Sequence, residues 1–490
     1  MEKEKKATEP GKFRQLFVAL VANVSGLCYG MMIGWQSPML PQLQSENPPV
    51  GSEPMSDEAA SWLTGTMCLS GAIISLTIGA IANRFGRKVT GCLAALPLCA
   101  SWLLTIFATE HSHLLIARMF AGIGGGTVLF LVPLYVSEIC CDEIRGMLGS
   151  LLVFILNGGV LLAYVIGAVL SFRVFAITAL AFPLLYLGFF FFVPESPVYL
   201  VRRNRLRDAA RSLTWLKAGH QPTVEREMLR LQAETKELNV SSGRSIRLSD
   251  LCRDRATVKG LIITLGLFGG QQLCGIFAMI SYTESIFRIS GSSLSPNTSA
   301  IIVGAIQVFG SYLSTSLMER LGRRPLLLIS CSVMCVSHYV LGTFCYLQTV
   351  RYDVTAFNWI PIVALSVFMI AYNLGMGPGP YVVSSEIISR DVSSLVITMG
   401  MCFVWSVAFI VVKLFPSMIH SMGMHGCFVL LGTFCVATFV FIFILIPETK
   451  GRPRQVILDQ LNGITYSLDN RQYVSTNDVV DKNLSNPEQI

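Results

Sequence analysis

Two adjacent amides, Gln271 and Gln272, stand inside an otherwise apolar block, and Gln307 and Asn157 stand inside two others. A buried amide with no hydrogen-bond partner costs about 1–3 kcal/mol. Such groups therefore either bond from helix to helix or converge on a polar solute. Neighbouring glutamines face different directions, which favours the second use for at least one of the pair. Trp405, Tyr381 and Phe277 add ring faces in other apolar blocks. The run Gly375-Met376-Gly377-Pro378-Gly379-Pro380-Tyr381 breaks a helix, because proline lacks the N–H and clashes one turn back. Irregular backbone is tolerated in a bilayer only where protein or a wet cavity covers it, so Gly377, Pro378 and Pro380 mark a hinge or gate, or else a static kink. Lys413 also sits in an apolar block, where an ammonium costs roughly 2.5–3.5 kcal/mol. It either snorkels to the outer surface or serves as an anion contact or counter-charge in a cavity. No nucleotide loop, metal cluster or nucleophile–base pair accompanies these residues, so enzyme chemistry, a cofactor, a metal and a nucleic-acid partner are not expected. The 14 cysteines are scattered, without a CxxC pair, and read as small apolar residues.

The elements that must position these groups are membrane helices. Of 490 residues, 52% are hydrophobic and 14% charged, with a mean hydropathy of +0.59. A soluble protein of this size keeps nearer a quarter of its residues charged. Apolar blocks fall near 16–35, 60–82, 89–108, 113–136, 147–170 and 174–193, then near 257–287, 298–318, 325–347, 357–385, 394–418 and 426–446. Each approaches the ~20 residues that cross a hydrocarbon core as helix. The pattern predicts an all-α membrane protein of twelve spans: a leader 1–15, a six-helix unit 16–193, a loop 194–256, a second six-helix unit 257–446 and a tail 447–490. The lysine-rich leader and the arginine-rich loop place both on the cytoplasmic side. The first block has no small-residue cleavage site and reads as a first span rather than a signal peptide. Within the loop, Leu206–Lys217 and Val224–Leu238 look helical.

The two units repeat one another. AsnArgPheGlyArgLys at 83–88 is echoed by GluArgLeuGlyArgArg at 319–324, and ProGluSerPro at 194–197 by ProGluThrLys at 447–450. Glu138 and Glu386 close the fourth and tenth spans. With ProLeuTyrValSerGluIle at 133–139, GlnGlnLeuCysGly at 271–275 and the 375–381 break, these motifs resemble the sugar porter branch of the major facilitator superfamily from Leu27 to Arg452. The segment 29–41 looks most like insect trehalose and sugar transporters. The resemblance implies two six-helix bundles around a central cavity that rock about a midplane site. It implies a cytoplasmic latch of Arg84, Arg87, Glu138, Arg145 and Glu195 in one half, and Glu319, Arg323, Arg324, Glu386 and Glu448 in the other. Guanidinium suits that duty because its fork binds carboxylate bidentately. Two places depart from the family: Ser393 and Val198 stand where arginine is usual, so a looser latch is expected.

For the cavity, the resemblance implies substrate contacts from Gln271, Gln272, Gln307, Tyr381 and Trp405, with Tyr282 as a gating aromatic. Phe277, Val404 and Val153 replace usual polar residues, although Asn157 lies one turn beyond Val153. The cavity should be drier than a hexose site. Proton-coupled members carry an acid in the first span, whereas this chain has no charge between Arg14 and Glu46. The expectation is a facilitative carrier of trehalose, a hexose or a similar small neutral solute in the plasma membrane, with both termini cytoplasmic. A transport-deficient nutrient sensor and a carrier of a more lipophilic or charged solute remain open. Arg118 matches a family arginine. Asn297 heads a glycosylation sequon expected in the outer loop between spans seven and eight. The polar tail after Arg454 is expected to be mostly disordered.

Overall fold

Long apolar stretches that cannot expose backbone N–H and C=O groups to hydrocarbon form helices, and helices dominate the chain. The computed structural model describes residues 10–241, 251, 254–389, 392–466 and 473–475. Spans one to six are α1 (Lys12–Gly34) continued by α2 (Gln36–Leu43), α3 (Asp57–Phe85), α4 (Arg87–Ile106), α5 (His111–Ile139), α6 (Asp142–Val169) and α7 (Phe172–Phe190). Three helices of the connecting loop follow: α8 (Pro197–Arg202), α9 (Leu206–Leu216) and α10 (Gln221–Ser241). Tyr199, Leu200, Val201 and Ala209 form their own small core beside Met228 and Leu231. The two helices expected in this loop are present, with a third before them.

The second unit begins with a span in three pieces, α11 (Arg255–Leu273), α12 (Ile276–Ser281) and α13 (Thr283–Ser290). Gly275, at φ 84°, joins the first two in a conformation that side chains rarely adopt. Then come α14 (Pro296–Leu321), α15 (Arg323–Thr349), α16 (Ile360–Ala371), a π-helical turn Tyr372–Met376, α17 (Gly379–Ile387) and α18 (Ser393–Leu445). Among the described residues ten stretches are long and apolar enough to cross a membrane. One of them holds two arms that turn over at Gly423, at φ 72°. With the second arm and α14, the twelve expected spans are present.

Past α19 (Arg454–Asn462), Ile464–Tyr466 pairs antiparallel with Tyr473–Ser475. This corrects the expectation of an unstructured tail for those residues; the remainder lies outside the described set.

Packing follows the repeat. Within the first unit α1 lies on α6, α3 on α5, and α4 on α5 and α7; in the second, α18 packs on α15 and α11, and α16 on α14 and α15. The units meet through α3 with α18 and through α6 with α14, the same pair of positions taken from opposite halves.

Candidate functional site

The end of the seam between the units that holds Tyr282 is closed by specific contacts. Tyr282 Oη lies 3.4 Å from Thr64 Oγ1 of α3, and its ring lies 5.4 Å from Phe415 of α18. Tyr164 Oη of α6 donates to the Ile280 carbonyl at 2.8 Å. The Glu284 N–H donates to Ser37 Oγ at 3.0 Å. Lys413 neither stands alone nor reaches a carboxylate in these contacts: its Nζ donates to Ser61 Oγ at 2.8 Å and sits 4.3 Å from the Trp62 ring. Its charge is thus met by a hydroxyl and a ring face from the opposite half. Spacing alone could not reveal this, because the partners lie about 350 residues apart.

Below this closure the rings gather at the seam. Trp405 is fully buried, 6.2 Å from Tyr29 and 5.8 Å from Phe277. Gly71 lets α3 approach it closely, since a Cβ there would lie 2.9 Å from the indole. Tyr29 is a member that the sequence reading missed. Trp405 Nε1, Tyr29 Oη and Gln272 Oε1 are buried polar atoms with no protein partner. Tyr381 is 40% exposed, with its ring 5.0 Å from Phe268.

The other amides are occupied. Gln307 Nε2 donates to Asn157 Oδ1 at 2.9 Å, and Asn157 Nδ2 donates to Ser311 Oγ and to Asn373 Oδ1 at 2.8 Å. This network crosses from α6 to α14 and the π turn, and all its members are buried. Gln271 Nε2 donates to the carbonyls of Met376 and Gly377, both at 2.8 Å, while its Oε1 accepts from Gln272.

Those two carbonyls belong to the expected break, which is a π turn closed by Gly377 N–H to Tyr372 O at 2.7 Å. Ser330 of α15 donates to Ala371 O at 2.6 Å and accepts from Met376 N–H at 3.1 Å. Gly375 is required because a Cβ there would lie 2.5 Å from Ser330 Cβ. The interrupted backbone is thus paired by Gln271 on one side and Ser330 on the other, as burial demands. Gly377, Pro378 and Pro380 sit at the junction with α17.

At the opposite end of the bundle the charged motifs form a cluster inside each half. Arg87 grips Glu138 bidentately, Nε to Oε2 at 2.9 Å and Nη2 to Oε1 at 2.8 Å. Glu195 accepts the N–H groups of Arg87 and Lys88 at the start of α4. Burial pushes the Glu195 carboxyl above the usual carboxylate range, against the pull of those N–H donors and of Arg87. In the second half Arg323 Nη2 donates to Glu386 Oε1 at 3.0 Å, and Glu448 accepts from the N–H groups of Arg323 and Arg324. Arg324 turns its guanidinium to the Phe443 carbonyl. Arg84 stays exposed beside Phe85 and offers its carbonyl to Tyr199. Arg145 and Glu319 lie outside the residues whose side chains are described. Arg118 donates to Met32 O of α1 and lies 4.0 Å over Trp35.

Asn297 is not in an open loop. Ser295 caps α14 and Pro296 starts it, so the sequon occupies the first helical turn with Ser299 fully buried.

A family model described as "Sugar (and other) transporter" matches residues 18–457. A facilitated trehalose transporter of Apis mellifera ligustica is 32% identical over 446 residues, 90% of this chain and 87% of the relative. One of Anopheles gambiae is 33% identical over 449 residues, 92% of this chain but 56% of the relative, so the chain spans little more than half of that protein. Among solved structures, the xylose transporter XylE of E. coli in an inward-open conformation superposes with a TM-score of 0.74 at 23% identity, covering 91% of this chain and 99% of the other.

Proposed function

This chain belongs to the sugar transporter family, and on that premise we propose that it is a facilitative carrier of a sugar-like, small neutral solute. Trehalose is the first candidate, because it is named for the insect relatives. The observation that carries the reading is the ring pair at the seam. Trp405 comes from one half and Tyr29 from the other, and each holds a buried donor that no protein atom meets. A solute with hydroxyls and a C–H face supplies the missing acceptors and lies against both rings. Gln272 Oε1 adds an unpaired acceptor. Because these groups come from both halves, a solute bound among them is released when the halves rock apart. The first span carries no acid to bind a proton, so transport runs down the gradient of the solute alone. The working location is the plasma membrane, with both termini in the cytoplasm.

A second reading, a carrier of a solute less hydroxylated than a sugar, rests on one observation. The amides of Gln271, Gln307 and Asn157 are already spent on protein partners, and Phe277 sets an apolar ring 5.8 Å from Trp405.

Uptake of radiolabelled trehalose and glucose by cells expressing the chain tests the reading. Saturable uptake, insensitive to a proton gradient and abolished in Trp405→Ala, is expected. Absence of uptake by protein confirmed at the cell surface removes trehalose and glucose as its solutes, and uptake unchanged in Trp405→Ala and Gln272→Ala moves the site elsewhere.

A further inference from the structure

Beside the cytoplasmic ends of spans two, three and six lies a recess of about 390 Å³, lined by none of the residues gathered around Trp405. Its membrane-side wall is Phe85, the last residue of α3, Val89 in the first turn of α4, and Phe192 just past α7. All three are exposed, Phe192 by 82%. The opposite wall is the cytoplasmic helix α9, which buries Ala209, Ser212, Leu213 and Leu216 on one face and turns Arg211 to solvent. Lys88, Arg205 and Arg211 line the recess together.

Two carboxylates also line it, and neither cancels those cations fully. Glu195 spends its oxygens on the backbone N–H groups of Arg87, Lys88 and Ser196. Asp208 is shared between Arg205 at 2.7 Å and Arg211 at 3.7 Å. Trp215 forms the outer edge, partly exposed, with Arg14 stacked 5.5 Å from its ring. An apolar wall level with the ends of three spans, a cationic wall one helix further out, and a tryptophan between them follow the profile of a bilayer interface.

We propose that this recess binds one anionic phospholipid of the cytoplasmic leaflet. The phosphate rests among Lys88, Arg205 and Arg211, and an acyl chain lies along Phe85, Val89 and Phe192. A free phosphate would meet only the cations, and a zwitterionic lipid would bring a positive group into a cationic site. Basic recesses between spans on this side of a membrane take acidic headgroups, at about fivefold in affinity per cation. The bound lipid fastens α9 to the α3–α4 turn, which carries the first-half ion cluster.

The test is thermal unfolding of the purified full-length protein in a non-ionic detergent, titrated with dioctanoyl phosphatidic acid. Dioctanoyl phosphatidylcholine and inorganic phosphate are titrated in parallel. The expected result is a rise in Tm with phosphatidic acid alone, diminished by high salt. In Arg205→Gln/Arg211→Gln the half-saturating concentration should rise about 25-fold. Should that double variant not fold, Lys88→Gln serves instead, with about a fivefold rise. The proposal is overturned if the variants respond like the unaltered chain, if phosphate alone reproduces the rise, which marks a free-anion site, or if phosphatidylcholine does so.

Discussion

The two halves carry the same charged device built to different tightness. In each, a glycine with positive φ (Gly86 at 97°, Gly322 at 93°) turns the chain into a helix, and a glutamate from beyond the sixth span of that half caps it. In each, the following arginine reaches the acid that ends the fourth span of its half. The first-half pair is sealed, with Arg87 2% and Glu138 8% exposed and two parallel hydrogen bonds. The second-half pair is 19% and 27% exposed, and Glu386 Oε2 has no partner. The cations inside spans differ in a related way. Arg118 bonds within its own half, whereas Lys413 crosses to Ser61 and Trp62. The duplicated frame fixes where charge sits, and local burial decides whether it locks one half or joins two.

That contrast is broken most directly at the acids. Glu138→Ala should lower stability by about 3–5 kcal/mol, since it strands a buried guanidinium, while Glu386→Ala should cost about 1 kcal/mol or less. Equal losses, read by thermal unfolding of the purified variants, would erase the distinction. Alanine at Gly86 or Gly322 forces a side chain into a glycine-only conformation at about 1–3 kcal/mol. Gly86→Ala should be the worse, because its Cβ would meet Glu195 at 2.3 Å against 2.8 Å from Glu448 at Gly322. Lys413→Met removes a hydrogen bond and a cation–ring contact between halves, together about 1–2 kcal/mol. Spin labels on α3 near Ser61 and on α18 near Lys413 should then report a larger share of separated halves; an unchanged distance distribution would remove Lys413 from the closure. The smallest effect belongs to Ser393→Arg, which should stabilise the second-half cluster by less than about 1 kcal/mol. A loss instead would show that the position has no acid to meet.

The spans, their duplication, the helices of the 194–256 loop and the break near 375 were all legible in the sequence. Each is written in local patterns: runs of apolar residues, clustered arginines, or glycine and proline together. The partners were not. Gln271 and Gln272 are adjacent, yet one closes the π turn and the other leaves an oxygen unpaired, and only the rotation of α11 decides which. Tyr29, Ser330 and Asn373 gave no signal because single hydroxyls and amides in apolar blocks look alike until packing selects their neighbours. Asn297 reads as loop from its sequon alone, whereas Ser295 and Pro296 together cap and start a helix there.

The turn at Gly423 has a practical consequence. Spans eleven and twelve reverse direction with no loop between them, and even a methyl group at Gly423 would come within 2.9 Å of His425. An epitope or fluorescent domain inserted there would have to force two packed helices apart. Between α15 and α16 the chain instead runs through exposed residues such as Arg351, Asp353 and Phe357, and an insertion there disturbs no helix pair. Anyone tagging the second half has exposed connections such as that one to work with, whereas the hairpin at Gly423 will refuse.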